Sequence, residues 1–312
     1  MKILITGVHG FVGSNLVKAL SKDHTIYGLD IINPTKEGVQ FTISWNHLDK
    51  VDGIPEVDAI IHLAGKAHDT KNEAAADVYF KVNTDLTKKI YDYYLKSSAK
   101  KFIFFSTAKA AADKVDGILT EDVVPSPVGP YGESKIAAEK YIQEHLVDDK
   151  QVYILRPCMI HGPGNKGNLN LLYGVVSKGI PWPLGAFENR RSFTSIGNLQ
   201  EVIKGLLTKD VPSGIYHMGD DEALSTNELI EVICSALGQK AHIWNIPRGL
   251  MNGFAKMGDV LHLPLNSLRM QKLTENYVVS NAKIKAALGM KQMPVRAKDG
   301  LRETIKSFVC GS

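Results

Sequence analysis

Residues 2–13, KILITGVHGFVG, decide the fold. The run KILIT at 2–6 is apolar and rich in β-branched residues, which is typical of a buried strand. Glycines follow at Gly7, Gly10 and Gly13, and apolar residues from Phe11 to Ser21 have the spacing of a helix. A strand, a glycine turn and a helix in this order present backbone N–H groups to a bound phosphate, because no Cβ blocks its approach.

Outward from this stretch, strand-like and helix-like segments alternate. We expect strands at 25–29, 57–63, 101–105 and 151–155, and helices at 73–97 and 133–146. The predicted strands are largely apolar, as in a parallel sheet with both faces covered. The fold class is therefore predicted to be α/β, with a doubly wound parallel sheet.

In the second half of the chain, the regular alternation of strand-like and helix-like segments ends. Glycine and proline cluster at 162–167 and 179–185, and helices are expected at 225–237 and 281–288. We expect residues 1–160 to form a cofactor domain. Residues 161–312 would then form mainly a smaller α/β C-terminal substrate domain, with a return to the first domain near 193–209.

Composition excludes several classes of protein. The chain has 312 residues, of which 44% are hydrophobic and 22% charged, unlike a disordered or fibrous protein. A net charge of +4 is too small to indicate nucleic-acid binding. The three cysteines form no CxxC motif or Cys/His cluster, so we expect no metal site and a cytoplasmic protein. No apolar run reaches the ~18 residues of a membrane span.

An acidic residue stands about 20 residues after the glycines. Asp30 closes the second predicted strand, where its carboxylate can accept hydrogen bonds from the two ribose hydroxyls of NAD. It would repel a 2′-phosphate, and Ile31 and Ile32 supply no arginine to bind one. This favours NAD, while Lys36 leaves NADP open. A glycine turn without a nucleotide is the other alternative.

Tyr131 and Lys135 form a Y-x-x-x-K motif at the start of a predicted helix. Their spacing of four places both side chains on one helix face. We expect the ammonium to lower the pKa of the Tyr131 hydroxyl, which would suit acid/base catalysis near neutral pH. The motif is common by itself, so an ordinary exposed helix start is the alternative.

The two motifs together resemble the extended branch of the short-chain dehydrogenase/reductase superfamily, in its nucleotide-sugar NAD-dependent epimerase/dehydratase family. The resemblance implies a Rossmann fold, a catalytic triad of Thr107, Tyr131 and Lys135, and a homodimer formed by helices near 75–97 and 132–147. It also implies that NAD is held by Gly7, Gly10, Phe11, Val12, Gly13, Asp30, Leu63, Ala64, Gly65 and Asn83, together with Tyr131 and Lys135.

For the nucleotide-sugar substrate, the resemblance implies a diphosphate clamp at Arg191, within the stretch NRRSFTS. Planar guanidinium groups suit bidentate phosphate binding. The candidate substrate-binding residues are Lys66, His68, Lys109, Asn168, Arg191 and Arg269. Arg269 is the second candidate for the phosphates, and a solvated loop is the alternative for Lys66 and His68.

One departure from the family's sequence pattern argues against a dehydratase. The family's dehydratases carry Asp-Glu directly after the catalytic threonine, where this chain has Ala108 and Lys109. The resemblance therefore implies a UDP-sugar 4-epimerase of a bacterial polysaccharide pathway, acting through a transient 4-keto intermediate. An NAD(P)H-dependent reductase of a UDP-4-keto-6-deoxy-N-acetylhexosamine and a non-catalytic dinucleotide-binding protein are the alternatives.

Overall fold

A parallel sheet organises the chain, for which a computed structural model describes residues 1–32, 34–45, 54–66, 75–165, 167–261 and 266–310. Within these ranges seven strands pair in the order β10-β7-β5-β4-β1-β2-β3. They are β1 (Lys2–Thr6), β2 (Thr25–Asp30), β3 (Thr42–Ser44), β4 (Ala59–His62), β5 (Lys101–Phe105), β7 (Gln151–Pro157) and β10 (Gly214–Met218). All neighbouring strands are parallel, as predicted.

Helices follow most of the strands. Their bounds are α1 (Phe11–Leu20), α2 (Ala76–Tyr79), α3 (Leu86–Lys96), α4 (Pro130–Glu144), α5 (Asn168–Val176), α6 (Ile196–Thr208), α7 (Thr226–Ala236), α8 (Arg248–Leu261), α9 (Ser267–Thr274), α10 (Ala282–Leu288) and α11 (Ala297–Cys310). A π-helical segment, Phe80–Asp85, joins α2 to α3. None of the described helices has the length and apolar character that crossing a bilayer requires.

Both faces of the sheet are covered. Because side chains alternate along a strand, Ile3 and Ile5 pack on one face and Leu4 on the other. The first face meets α1 and α6, and the second meets α3 and α4. The fold is therefore the doubly wound α/β fold that the sequence predicted.

Strand order reverses between β1 and β4. From this point the chain builds β2 and β3 in one direction and β5, β7 and β10 in the other. A doubly wound sheet opens a crevice at the carboxyl ends of the strands where this reversal occurs. The glycine turn after β1 and the residues after β4 face this crevice.

The rest of the chain packs a separate apolar cluster from α5, α7, α8, α9 and α11. Two short sheets accompany it, β8 (Met159–His161) with β9 (Phe193–Ser195), and β6 (Ile118–Leu119) with β11 (Val278–Val279). Helix α6 and strand β10 bring residues 196–218 back to the main sheet, so the chain's return extends past residue 209. The division into two domains stays a prediction.

The packing of α1 predicts a stability difference. Leu16→Ala removes a fully buried side chain and should lower the free energy of unfolding by about 2–5 kcal/mol. Lys18→Ala, on the exposed side of the same helix, should change it by less than about 0.5 kcal/mol. Urea denaturation of both variants measures the difference, and equal transition midpoints would contradict the packing described.

Candidate active site

The glycine turn packs tightly against the loop after β4. Gly7 has a φ of +68°, and a Cβ placed on it would lie 3.0 Å from the Ala64 nitrogen. A Cβ on Gly13 would lie 2.4 Å from the Gly7 carbonyl oxygen. Only glycine fits these two positions.

The N-terminus of α1 is suited to an anion. Gly10 precedes Phe11 and Val12 at the helix start, no side chain caps the helix, and its first turn contains no acidic residue. Backbone N–H groups there can therefore turn toward a phosphate. The turn and the helix start fit the pyrophosphate of NAD.

Asp30 lies beside this turn and is buried. Its carboxylate oxygens accept hydrogen bonds from the backbone N–H groups of His9 at 3.0 Å and Ile31 at 2.8 Å. These bonds fix the carboxylate at the end of β2, and it retains acceptor capacity for ribose hydroxyls. His9 is a contributor that the sequence analysis missed, because backbone donors leave no side-chain signature.

Lys36 lies near the same end of α1. Its ammonium donates a hydrogen bond to the Ser14 hydroxyl at 2.7 Å and is close enough to Asp30 for an electrostatic interaction. Burial is the main cause of a lowered pKa at Lys36.

A buried hydrogen-bond network supports the end of β4. His62 contacts the hydroxyls of Thr6 at 2.7 Å and Thr87 at 2.9 Å. Burial, with the charge of Lys135, holds the pKa of His62 well below its usual range, so the ring is neutral. The Thr6 hydroxyl accepts the N–H groups of Leu63 and Ala64, which fixes the loop that carries Gly65.

Asn83 connects this loop to helix α4. Its amide oxygen accepts the Lys66 N–H at 2.7 Å, and its amide nitrogen donates to the Lys66 carbonyl and to the Ser134 hydroxyl. Asn83 lies in the π-helical segment, a geometry that is frequent at functional sites. A Cβ on Gly65 would lie 2.9 Å from the Asn83 amide oxygen.

The three residues of the implied triad lie together at the carboxyl end of β5. Tyr131 and Lys135 share one face of α4, as their spacing predicted, and Tyr131 is hydrogen-bonded to the Thr107 side chain. The Lys135 ammonium donates to the Phe105 carbonyl at 2.9 Å. It lies toward Gly65, whose added Cβ would be 3.1 Å from it. The triad therefore faces the crevice.

The expected lowering of the Tyr131 pKa is wrong for this structure. Burial raises the pKa of Tyr131, the hydrogen bond with Thr107 opposes this rise, and the adjacent Tyr79 adds to it. Burial also lowers the pKa of Lys135 to about 8, although Glu139 opposes that shift. For both groups the effect of burial on the pKa is larger than the effect of neighbouring charges, because the charged forms lose contact with water.

A buried ion pair lies beneath Lys135. Glu139, one helical turn further along α4, receives a 2.5 Å hydrogen bond from the Arg156 guanidinium on β7. The Ser106 hydroxyl at the end of β5 also donates to Glu139. Glu139 therefore holds α4, β5 and β7 together and keeps a negative charge near Lys135.

Arg191 and Lys109 meet around Tyr277, which the sequence analysis did not single out. Arg191 bridges to Tyr277 through the backbone, and its guanidinium donates to the Lys272 carbonyl at 2.5 Å. The Lys109 ammonium lies 5.7 Å from the centre of the Tyr277 ring and pairs with Asp113. The Tyr277 hydroxyl donates to the Ala112 carbonyl at 2.8 Å.

The other predicted substrate-binding residues lie at separate places in the structure. The Lys66 ammonium lies 5.8 Å from the centre of the Tyr79 ring, which packs edge-on against Tyr131. Arg269 is exposed on α9, the helix that also carries Lys272. Asn168 is the first residue of α5, but its side chain lies outside the described part, as does all of His68.

Comparisons with known proteins match this geometry. The family model "NAD dependent epimerase/dehydratase family" matches residues 3–219. A Vibrio cholerae UDP-glucose 4-epimerase is 30% identical, over 98% of this chain and 95% of its own length. An Escherichia coli O157:H7 N-acetyl-α-D-glucosaminyl-diphospho-ditrans,octacis-undecaprenol 4-epimerase is 26% identical, over 91% of this chain and 84% of its own.

Solved structures share the fold. The Bacillus cereus UDP-glucuronic acid 4-epimerase in complex with NAD superposes with a TM-score of 0.75 at 21% identity, covering 99% of each chain. Together with the glycine turn, Asp30 and the Thr107–Tyr131–Lys135 arrangement, the match over residues 3–219 shows that this chain belongs to the NAD-dependent epimerase/dehydratase family, an extended type of short-chain dehydrogenase/reductase.

Proposed function

We propose that this protein is a UDP-sugar 4-epimerase. The observation that carries the proposal is the Tyr131 hydroxyl, hydrogen-bonded to Thr107 at the crevice mouth and one helical turn before Lys135. Relatives named for 4-epimerisation of sugar diphosphates, over nearly the whole chain, support it.

The three side chains have distinct roles in the proposed reaction. Tyr131 takes the proton from the sugar 4-hydroxyl and later returns it, while the Thr107 hydroxyl orients the same oxygen. The Lys135 ammonium faces the cofactor crevice one helical turn from Tyr131, where a positive charge would favour the phenolate and oppose the effect of burial on the Tyr131 pKa. NAD, when bound, supplies the acceptor that takes a hydride from the sugar and gives it back.

The position of Lys109 argues against a dehydratase. Lys109 pairs with Asp113 at 2.5 Å, and Ala108 is buried among apolar side chains. No acidic pair directly follows Thr107, so these positions cannot supply the acid and base that water elimination needs.

The 4-keto reductase is the second candidate, because the same triad can return a hydride to a 4-keto sugar supplied from outside. Incubation of purified protein with UDP-glucose or UDP-N-acetylglucosamine, without added cofactor, distinguishes the two. An epimerase forms the 4-epimer and contains tightly held NAD that denaturation releases. Oxidation of added NADH by a UDP-4-keto-6-deoxy-N-acetylhexosamine, without epimer formation, would instead identify the reductase.

Arg191 is proposed to bind the substrate diphosphate, with Lys272 and Tyr277 beside it. A diphosphate is common to UDP-sugars and to the polyprenol-linked sugar for which the Escherichia coli relative is named. We also propose the homodimer implied by the family, supported by exposed Val78 and Phe80 on the predicted interface helices.

Tyr131→Phe should remove the epimerase activity. Loss of the acid/base hydroxyl is expected to lower kcat by about 10²–10⁴-fold. Tyr141→Phe is the matched control, because it removes a hydroxyl from the same helix. Among the described contacts, this hydroxyl bonds only to Asp92. Proton NMR of the sugar anomeric signals measures both rates. An active Tyr131→Phe protein would refute the assigned role.

Two adjacent arginines give a matched pair for substrate binding. Arg191→Lys should raise KM for the UDP-sugar about tenfold or more, because lysine cannot reproduce the bidentate guanidinium contact. Arg190→Lys should leave KM nearly unchanged, since Arg190 pairs with Glu228 on the surface. Initial-rate kinetics compares them, and an equal rise in KM would contradict a specific phosphate role for Arg191.

Glu139 should influence the pH dependence of the reaction. The negative charge of Glu139 raises the pKa of Lys135, so its removal should lower that pKa below about 8. The alkaline decline of activity, where Lys135 loses its proton, should then move to lower pH. The double variant Glu139→Gln, Arg156→Met avoids an unpaired buried charge.

The pH profile of kcat/KM measures this effect. Glu133→Gln, an exposed carboxylate on the same helix, is the control and should keep the parent profile. A folded double variant whose alkaline limb coincides with that of the parent would show that Glu139 does not act on Lys135.

A further inference from the structure

Helix α8 presents an apolar face to solvent. Among its 14 residues only Met251, Ala255 and Gly258 are buried. The outward side carries Leu250, Phe254, Met257 and Leu261, which are 59%, 51%, 47% and 59% exposed. Their spacing of four, three and four places them on one side of the helix. A contiguous exposed apolar face of this kind indicates an interaction surface.

Two further apolar residues close to α8 in the sequence are also exposed. Leu268 on α9 is 60% exposed and Trp244, shortly before α8, is 55% exposed. Helix α9 is fixed to α8 because Asp259 accepts hydrogen bonds from the N–H group and hydroxyl of Ser267, at 2.9 and 2.5 Å. We call the outward side of helix α8 the α8 face: Leu250, Phe254, Met257 and Leu261.

The net charge of the chain is concentrated in the segment that contains α8 and α9. Residues 238–274 contain five basic residues and one acidic residue, a balance of +4 that equals the net charge of the whole chain. The rest of the chain therefore carries 32 basic and 32 acidic side chains. The basic residues, all exposed, are Lys240, Arg248, Lys256, Arg269 and Lys272. The acidic one, Asp259, accepts hydrogen bonds from Ser267 at the start of α9.

The exposed apolar face and the nearby positive charge together indicate which partner binds the α8 face. An exposed helix with an apolar face, basic residues on its polar side and an exposed tryptophan shortly before it in the sequence matches the pattern of helices that lie in the interface of an anionic bilayer. A second copy of the same face would bring its positive charge against an equal positive charge, which disfavours a symmetric dimer here. We propose that the α8 face docks on an anionic membrane surface.

Docking has a consequence for the catalytic site. Helix α9 is bonded to α8 through Asp259 and Ser267 and also carries Lys272, whose carbonyl accepts the hydrogen bond of Arg191. A bilayer against the α8 face would therefore lie near the residues proposed to bind the sugar diphosphate. The docking does not depend on the reaction catalysed, and its test needs no substrate.

Co-sedimentation with phosphatidylglycerol–phosphatidylcholine vesicles tests the proposal on the full chain. The parent protein should bind these vesicles, bind pure phosphatidylcholine vesicles more weakly, and dissociate as salt is raised. Phe254→Glu should lower partitioning about tenfold or more, because it removes a large apolar group from the face. The uncharged double variant Leu250→Gln, Phe254→Gln should lower it as well.

Asn252→Glu is the matched control, because it adds the same charge to an exposed position on the opposite side of α8. It should retain most of the binding, and unchanged NAD content should show that each variant is folded. The proposal is overturned if the parent does not bind anionic vesicles, or if Asn252→Glu and Phe254→Glu weaken binding equally. It is also overturned if Phe254→Glu dissociates an oligomer while vesicle binding is absent.

Discussion

The buried Arg156–Glu139 ion pair is the interaction on which the catalytic geometry depends. Glu139 belongs to the helix that carries Tyr131 and Lys135, while Arg156 belongs to strand β7 of the main sheet. Their 2.5 Å contact fixes the helix over the end of β5, where Thr107 lies. A lone buried charge would be costly, so the pair must form as a unit. In forming, it sets the distance between the hydroxyl that handles the proton and the strand that orients the sugar.

A second constraint joins the two parts of the chain. Arg191 and Tyr277 come from distant segments and are held together by backbone bridging. Tyr277 in turn contacts Lys109 and the Ala112 carbonyl, which follow strand β5. The residues proposed to bind the diphosphate are thereby fixed relative to Thr107 and Tyr131. In the proposed reaction the sugar would lie between a phosphate site from one segment and an acid/base site from another.

Local patterns predicted the strands and helices of the parallel sheet well. These patterns depend on residues that are close together in the sequence. They include the strand at 2–6, the glycine turn, Asp30 at the end of β2, and the spacing of Tyr131 and Lys135. Tyr277 and Lys272 were not predicted, because their relation to Arg191 exists only after folding. Helix α8 was also missed, since Gly249, Gly253 and Gly258 weaken its helical signal and its apolar stripe faces outward. The direction of the Tyr131 pKa shift depends on burial, which residue spacing does not reveal.

The proposed epimerase removes a hydride from C4 of a UDP-sugar and returns it to the opposite face at one site. UDP-glucose deuterated at C4, incubated with the purified protein and no added cofactor, tests this most directly. We expect UDP-galactose that retains deuterium at C4, detected by NMR and mass spectrometry. Product that has exchanged the C4 deuterium for solvent hydrogen would contradict it.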